Sequence, residues 1–435
     1  MKSPLLPLLL SGIFFLSTSL GHTEDEYLLR DAKELSIRGG IPNILKKLHS
    51  DSDEELRIAY LGGSITAAAG WRVKTLEWLK ERYPNKNLSE IHAAIGGTGS
   101  DLGVFRLEQD VLRHDPDFLF VEFAVNDGGA PPEQIHKAME GIVRQTWNAD
   151  PEIDIVFVYT LSQPQLADLQ NGKFYRSASA MEELADHYDI PTIHMAMEVA
   201  AREKDGTLIF KGEKPTGDEP DDAPLVFSTD GVHPLVETGH ELYLEAVARS
   251  WEKLEEAGGE AKPHELGTPF REDNWEAAKI VPITEDLLSG GWEKLDSGEN
   301  GNTIAKRFSK RMPEMWLAKE PGATLSFRFK GKEVSIYDIL GPDGGQISIK
   351  LNDKDERFVN RIDGHCTYHR LNTLRVGGDE TDEVQSVTLT LTDEKLDKRE
   401  ILFEKNRDDF DKNPERYSDH VWHAGSIMII GDIVN

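Results

Sequence analysis

The stretch that most constrains the fold is a short apolar segment that ends at two glycines and a serine, Arg57-Ile-Ala-Tyr-Leu-Gly-Gly-Ser64. Large and β-branched residues bounded by glycine are typical of a buried parallel strand. The two glycines permit a tight turn, and the sequence becomes helical from Ser64 onward. A serine at such a junction presents its hydroxyl at the carboxyl edge of a sheet, where open α/β proteins bind ligands. Ser64 could equally be a helix N-cap, so its position alone assigns no role.

The alternation of strand and helix continues along the first 260 residues or so of the chain. Strands of this length separated by helices predict βαβ units and a mostly parallel sheet covered on both faces. The predicted strands are 57–61, 89–95, 118–124, 153–159 and 192–194. The predicted helices are 26–37, 42–48, 66–82, 103–114, 132–148, 177–188 and 234–257, and residues 211–230 are predicted to be a loop.

The pattern of apolar and polar residues changes after the segment Gly258-Gly-Glu-Ala-Lys-Pro263, which we interpret as a linker. Residues 325–329, 334–337, 346–351 and 387–392 alternate apolar and polar side chains. Alternation with a period of two indicates strands with one buried face, as in an antiparallel, jelly-roll-like β-sandwich. We therefore expect two domains, an α/β domain over residues 22–262 and a β-sandwich over residues 263–435.

The amino terminus has the pattern of a secretory signal peptide. Lys2 precedes an apolar run over residues 5–16 and small polar residues up to Gly21, which predicts a cleaved segment at residues 1–21. No later segment reaches the length of a membrane span. Cys366 is the single cysteine, so no internal disulfide can form. We therefore expect a secreted or periplasmic protein from a bacterium. The formal net charge of −29 argues against nucleic acid as a partner, because phosphate groups would be repelled.

Residues of complementary chemistry follow the predicted strands. Ester hydrolysis needs a nucleophile, a base, a group that orients the base, and donors for the developing oxyanion. Ser64, His233 and Asp230 supply the first three. The N–H groups of Ser64 and Gly97 and the amide of Asn126 supply the donors. Each residue could also be a plain turn or loop residue, but together they fill every role once.

Several nearby residues are compatible with more than one role. The spacing Gly97-Thr-Gly-Ser-Asp-Leu-Gly103, with Glu122 further on, loosely matches a dinucleotide-binding pattern, although it follows the second strand rather than the first. Glu122 and Asp127 could act in acid–base chemistry or could hydrogen-bond the site residues. His240 lies on the last predicted helix of this part, and we interpret it as structural.

Four short sequence motifs resemble, in type and in order along the chain, the conserved motifs of the SGNH (GDSL-type) hydrolase family. They are Leu61-Gly-Gly-Ser64-Ile-Thr, His92-Ala-Ala-Ile-Gly-Gly97, Val125-Asn126-Asp127 and Asp230-Gly-Val-His233-Pro234. The resemblance covers about residues 55–255 and implies a flavodoxin-like three-layer α/β/α fold. It also implies Ser64 as nucleophile, His233 as base, Asp230 as its orienting acid, and Ser64, Gly97 and Asn126 as the oxyanion hole.

The sequence departs from the family pattern at Gly63, where aspartate is usual, and at His92 and Ala94 in the glycine block. We expect these changes to weaken the support of the site without abolishing activity.

Fusion to a β-sandwich resembles an arrangement of carbohydrate-acting esterases in this family. The resemblance implies a serine esterase that removes O-acetyl or other short acyl groups from carbohydrate or polysaccharide, with no metal and no cofactor. The alternatives are a non-catalytic carbohydrate-binding protein on the same scaffold, and a lipolytic or acyl-transfer enzyme. Four aromatic residues could stack on sugars or belong to the sandwich core: Trp292, Trp316, Trp422 and Tyr368.

Overall fold

A computed structural model describes residues 27–217, 220, 222–378 and 383–434. The predicted signal peptide at residues 1–21 lies outside the described residues. Among the described helices, none combines the length and apolar character that a bilayer-spanning segment needs.

The first part of the chain alternates strands and helices. Its strands are β1 (Leu35–Ser36), β2 (Glu55–Gly62), β3 (Asn87–Ala94), β4 (Phe118–Glu122), β5 (Asp154–Tyr159), β6 (Thr192–His194), β7 (Leu208–Lys211) and β8 (Leu225–Ser228). Its helices are α1 (Pro42–Leu48), α2 (Ser64–Ala67), α3 (Trp71–Arg82), α4 (Ser100–Asp110), α5 (Pro132–Ala149), α6 (Leu166–Gln170), α7 (Arg176–His187), α8 (Met197–Asp205) and α9 (Gly239–Ala257).

The central sheet has the strand order β1-β6-β5-β4-β2-β3. Strands β2 to β6 pair in parallel, and the two-residue β1 adds an antiparallel edge. Every residue of β4 and β5 is buried, as expected for strands covered by helices on both faces. This sheet with its helices confirms the predicted α/β class.

The helix predicted over residues 66–82 is broken between α2 and α3. Ala68 is extended, and the chain resumes its helix after Gly70. The ring of His240 packs against Gly70 so closely that a Cβ there would lie 2.3 Å from it. The backbone N–H of Trp71 donates to His240 Nδ1 at 3.0 Å. A contact with a distant helix therefore decides where α3 begins.

Two further predictions about local structure are wrong. Over its described part, the segment predicted as a helix at residues 26–37 is extended, and its residues Leu35 and Ser36 pair with β6. His194 donates its N–H to the Glu34 carbonyl at 2.8 Å, so this segment follows the sheet edge. The predicted loop at residues 211–230 contains β8, which pairs in parallel with β7.

The second part of the chain is built mainly of antiparallel strands. These are β9 (Ala278–Pro282), β10 (Leu288–Ser289), β11 (Trp292–Lys294), β12 (Trp316–Ala318), β13 (Thr324–Leu340), β14 (Gln346–Leu351), β15 (Arg357–Asn360), β16 (Arg370–Gly377), β17 (Gln385–Leu391) and β18 (Trp422–Val434). Short helices α10 (Thr303–Phe308), α11 (Lys398–Ile401) and α12 (Arg407–Lys412) lie between them.

Two long strands organise this second part. The first half of β13 pairs with β17, its second half pairs with β16, and β18 runs alongside both halves. Register shifts near Gly331 and Tyr337 bend the pair. An apolar cluster that includes Phe329, Ile349 and Leu389 is enclosed by these strands. The arrangement is an antiparallel β-sandwich, as predicted.

The two parts share an apolar core. Tyr337, Met428 and Ile430 of the sandwich belong to the same buried cluster as the residues of the parallel sheet. Strand β9 contacts α4. The sandwich therefore packs directly on the helical layer beside β3, close to the carboxyl edge of the parallel sheet.

Candidate active site

Three neighbouring strands of the parallel sheet end at the same level. Gly62, the last residue of β2, pairs with Ala94 on one side and with Glu122 on the other, and these residues end β3 and β4. The loops that follow carry Ser64, the glycine turn at Gly97, and Asn126 in a 3-10 turn. The parallel register therefore brings three of the predicted site residues to one edge of the sheet.

The structure brings Ser64, His233 and Asp230 into one hydrogen-bonded chain. His233 Nε2 lies 2.8 Å from Ser64 Oγ, and His233 Nδ1 lies 2.7 Å from Asp230 Oδ2. The His233 and Asp230 side chains are 51% and 53% exposed, and Ser64 is half-buried. The chain of hydrogen bonds is thus open to a ligand from solvent.

The loop between β8 and α9 holds the Asp230 carboxylate rigidly. Asp230 Oδ1 accepts the backbone N–H groups of Val232 and His233, both at 2.8 Å, and the Ser228 hydroxyl at 3.0 Å. Partial desolvation raises the pKa of Asp230, but the hydrogen bonds from the His233 side chain and from the backbone outweigh it. The pKa is held well below its usual range, so the carboxylate stays ionised against the His233 ring.

Asn126 and the glycine turn that contains Gly97 lie beside the serine turn. A Cβ built on Gly63 would lie 1.9 Å from Asn126 Oδ1 and 3.2 Å from its Nδ2, so the amide occupies the space beside Gly63. A Cβ on Gly96 would lie 3.5 Å from Ser64 Cβ, which places the glycine turn beside the same serine. Gly97 has φ +74°, a left-handed conformation that favours glycine.

The Asn126 amide fills the space that a side chain at residue 63 would take. With the amide within 2 Å of the Cβ position, any side chain at residue 63 would displace Asn126. We expected Gly63 to weaken the support of the site. The structure adds that this placement of the amide requires a residue without a side chain at position 63, and the effect on activity stays a prediction.

Two buried carboxylates connect the loops beneath the site. Glu122 accepts the hydroxyls of Thr66 at 2.8 Å and Thr160 at 2.7 Å. Asp127 accepts the backbone N–H of Ser100 at 3.0 Å. Burial raises the pKa of Glu122. Burial also raises the pKa of Asp127 to about 7, against the hydrogen bonds from Ser100 that lower it. These carboxylates hydrogen-bond neighbouring loops and do not reach Ser64 Oγ.

The geometry does not favour the dinucleotide interpretation of the glycine spacing. Gly103 lies inside α4, where a Cβ would be 2.6 Å from the Phe123 ring. Glu122 is fully buried and engaged with two threonine hydroxyls, so it is not accessible to a ribose. Across the described ranges, no three His, Cys, Asp or Glu side chains group closely enough to hold a metal ion.

Sequence reasoning missed two residues that support the loop of His233. The Ser228 hydroxyl bonds Asp230, and the Gln163 backbone N–H donates to the Gly231 carbonyl at 2.8 Å. Gly231 has φ +85°, which suits glycine. Ser228 lies two residues before the aspartate, so its side chain was a local signal that could have been found. The contact of Gln163 is long-range and leaves no such signal.

Replacing Asp127 by asparagine is expected to change how stability depends on pH. The folded protein retains a proton on Asp127 between about pH 4 and 7 that the unfolded chain releases, so the wild-type free energy of unfolding falls as pH rises through this window. Asp127→Asn keeps the acceptor for Ser100 and removes this titration. Its stability relative to wild type should rise by up to about 4 kcal/mol between pH 4 and 8.

Urea denaturation at a series of pH values measures this difference. Asp355→Asn, at an exposed position, is the control and should give a difference that is independent of pH. A constant difference between Asp127→Asn and wild type across pH 4 to 8 would contradict the raised pKa.

Comparison with known proteins assigns the family of this domain. Residues 60–242 match the model of the GDSL-like lipase/acylhydrolase family. Thioesterase 1/protease 1/lysophospholipase L1 of Escherichia coli (strain K12) is 28% identical over 142 residues, which cover 32% of this chain. The match spans 62% of the length of that relative, less than two thirds of it.

Two solved structures share the whole two-part architecture. A two-domain esterase active on acetylated mannans, co-crystallised with mannopentaose, superposes with a TM-score of 0.68 over 94% of this chain and 100% of that chain, at 19% identity. A second structure of a two-domain esterase active on acetylated mannans gives a TM-score of 0.69 over the same shares, at 18% identity. The α/β part of the chain, over residues 60–242, is therefore a domain of the GDSL-like lipase/acylhydrolase family.

Proposed function

We propose that the protein is a secreted serine esterase that removes O-acetyl and other short acyl groups from carbohydrate through an acyl-enzyme. The observation that carries the proposal is the hydrogen-bonded chain from Ser64 Oγ through His233 to Asp230 at the open edge of the sheet. The match to the GDSL-like lipase/acylhydrolase family supports an ester hydrolase, and a serine hydroxyl paired with a base is a group that can attack an acyl carbon.

In this proposal Ser64 Oγ attacks the ester carbonyl while His233 Nε2, 2.8 Å away, accepts its proton. Asp230 orients the ring and stabilises its charged form. The N–H groups of Ser64 and Gly97 and the Asn126 amide stabilise the oxyanion, each such donor being worth ~3–4 kcal/mol of the barrier. His233 then protonates the leaving alcohol, and a water molecule activated by His233 releases the acid.

A cavity between the two parts supports a carbohydrate as the substrate. It has a volume of about 620 Å³, begins at the glycine turn with Gly97, and is closed on the other side by Arg307, Tyr368 and Asn372 of the sandwich. Charged and amide side chains match the hydroxyl groups of a sugar better than an acyl chain. We propose that the sandwich domain, over residues 263–435, completes the substrate cleft.

Tyr368 is the aromatic residue best placed to stack on a sugar. It is 48% exposed and lines the cavity beside the glycine turn. Trp316 and Trp422 are buried, and Trp292 is half-buried with its ring 5.4 Å from that of Trp422. These three tryptophans belong to the sandwich core, whereas Tyr368 faces the space where substrate would lie.

The substrate class and the location have further support. The two-domain esterase that shares this fold acts on acetylated mannans. The proposed export rests on the apolar run at residues 5–16 after Lys2.

Release of acetate from acetylated polysaccharides should exceed hydrolysis of long-chain p-nitrophenyl esters. A preference for the long-chain esters would favour a lipolytic enzyme, and transfer of acetate to an added alcohol would favour an acyltransferase.

Ser64→Ala is expected to lower kcat for p-nitrophenyl acetate at least about 1,000-fold, because the nucleophile is removed. It should also abolish covalent labelling by an organophosphonate, read by intact-protein mass. The control is Ser52→Ala, which removes an exposed hydroxyl before β2, at the opposite end of the strand from Ser64. A wild-type protein that neither hydrolyses acetate esters nor reacts with the phosphonate would favour the non-catalytic carbohydrate-binding protein.

Gly63→Asp, which restores the usual residue of the family, is expected to lower kcat by about 100-fold. The new side chain takes the place of the Asn126 amide, and loss of one oxyanion donor costs 10²–10³ in rate, roughly. Gly129→Asp is the matched control, because it adds the same side chain where a Cβ meets no described atom within 4 Å. Steady-state kinetics on p-nitrophenyl acetate distinguish them. Wild-type kcat in Gly63→Asp would show that Asn126 is not a donor.

Tyr368→Ala is expected to raise KM for acetylated oligosaccharides roughly 3- to 10-fold, because an aromatic stacking contact is lost. Activity on p-nitrophenyl acetate should be unchanged, since that ester needs no sugar contact. Phe358→Ala, which removes a 56%-exposed ring on β15, is the matched control. Equal effects of the two variants on the oligosaccharide, or an effect of Tyr368→Ala on both substrates, would contradict a role in sugar binding.

A further inference from the structure

Arg311 connects the sandwich to the strand that leads into the glycine turn. It lies between α10 and β12, and its Nη2 donates to the carbonyl oxygen of Ala94, the last residue of β3, at 2.9 Å. Its Nη1 lies 3.5 Å from Asp110 Oδ2 at the end of α4. Ala94 precedes Gly97 by three residues, so this contact is made directly at the entrance to the turn.

A second arginine, from the α/β part, holds the same strand ends. Arg106 is 1% exposed, and its guanidinium donates to the carbonyls of Ala93 and, at 3.3 Å, Gly62. It also pairs with Asp110 Oδ2 at 2.9 Å. One carboxylate therefore joins two guanidinium groups, and the two guanidinium groups bind carbonyls at the ends of both β2 and β3. These are the strands that precede Ser64 and Gly97.

The contacts of the glycine turn lie at its ends and leave Gly97 in its middle without packing. Gly97 is left-handed, and a Cβ on it would meet no described atom within 4 Å, so no side-chain packing at this position holds the middle of the turn. The hydroxyl of Thr98 donates to the Ile95 carbonyl at 2.8 Å, which closes the turn without orienting it. The turn is held at its two ends: the Ile95 N–H donates to the Gly62 carbonyl at 3.0 Å, and the Ser100 N–H donates to Asp127 Oδ1 at 3.0 Å. Its entrance, at Ala94 and Ile95, is the end that a side chain of the sandwich contacts.

We propose that Arg311 is a positioning residue of the esterase site, supplied by the sandwich domain. By fixing the Ala94 carbonyl it aims the Gly97 N–H at the oxyanion formed on the substrate. A hydrogen bond from a cation to a carbonyl is shorter and stronger than one between neutral groups. This inference rests on the proposed function, because it acts on a donor of that mechanism.

The proposed role of Arg311 predicts a decrease in kcat with little change in KM. A group that acts on the oxyanion donor affects the transition state, where the negative charge is fully developed, and leaves ground-state binding nearly unchanged. Arg311→Ala should lower kcat for p-nitrophenyl acetate about 10- to 100-fold. This decrease is smaller than the one expected when an oxyanion donor is removed completely, because the Gly97 N–H is only misplaced. KM should change less than about 2-fold. The pH profile should be unchanged, because His233 and Asp230 lie on a different loop. Arg311→Lys, which keeps a cationic donor, should recover part of the rate.

Two controls distinguish positioning from a structural role. Lys310→Ala removes the neighbouring exposed cation. Gln109→Ala removes the hydrogen bonds from Gln109 Nε2 to the Arg311 carbonyl, at 3.0 Å, and to Asp110 Oδ1, at 3.3 Å. It therefore weakens the contact between the two parts but leaves the Arg311 guanidinium and its bond to Ala94 in place. Both should keep wild-type kcat, although Gln109→Ala lowers Tm. The full-length protein is used for kinetics, phosphonate labelling rates and thermal melting.

The outcomes are distinguishable. A lower kcat and slower phosphonate labelling in Arg311→Ala, with partial recovery in Arg311→Lys, support positioning. A lower Tm with wild-type kcat, or equal losses in Arg311→Ala and Gln109→Ala, would overturn it and leave the proposed esterase standing. A wild type without hydrolysis or labelling would overturn the proposed function itself. If Arg311→Ala does not fold, Arg311→Lys and Arg311→Gln are compared in its place, and wild-type kcat in both overturns the inference.

Discussion

The parallel register of three strands is the constraint on which the site depends. Gly62, Ala94 and Glu122 are paired neighbours at the ends of β2, β3 and β4, so the loops after them leave the sheet together. A slip of one residue in any strand would move its loop by about 3.3 Å and turn its side chains to the other face. Because β4 is buried on both faces, such a slip would also place its apolar residues wrongly, and packing therefore fixes the register. The core that stabilises the sheet thus also sets the distances within the site.

A second constraint at the carboxyl edge of the parallel sheet is the burial of ionisable side chains. Glu122, Asp127, Arg106 and Asp110 are all less than 10% exposed, although charged groups are costly to remove from water. Three of them bind groups on separate loops or strands, and Asp110 joins two arginines. In a medium of low dielectric such hydrogen bonds are strong, and the loss of one partner leaves a buried polar or charged group unpaired. The backbone around Ser64 is therefore fixed by polar contacts, in a region where apolar packing alone would leave glycine turns free to move.

Much of the fold could be predicted from the sequence, because strands that are buried on both faces leave continuous apolar runs. The class of both parts and the family were confirmed, and β6 matches its predicted bounds. The errors share one cause, which is long-range contact. No local pattern shows that the ring of His240 packs on Gly70 and interrupts a helix, or that Leu35 finds a partner in β6. The site followed the same rule. The candidate site residues were selected from local motifs, and the structure places Ser64, His233 and Asp230 in one hydrogen-bonded chain. The spacing of Arg106 and Asp110 on one helix was a visible signal, but the contact of Arg311 joins segments more than 200 residues apart.

The two parts of the chain share a buried core and a row of hydrogen bonds, so the sandwich differs from a domain carried on a flexible tether. A tethered binding domain raises the local concentration of substrate and adds affinity that is equal in the ground state and the transition state, so it lowers KM and leaves kcat unchanged. A domain that contributes to the walls of a cleft adds specificity in the same way. A contact with the groups that stabilise developing charge acts on the transition state instead, and so changes kcat. In the mechanism we propose, the bond from Arg311 to the strand before the glycine turn is a contact of this kind, and it would give the packing of the sandwich on the α/β part a catalytic consequence that substrate binding alone does not require.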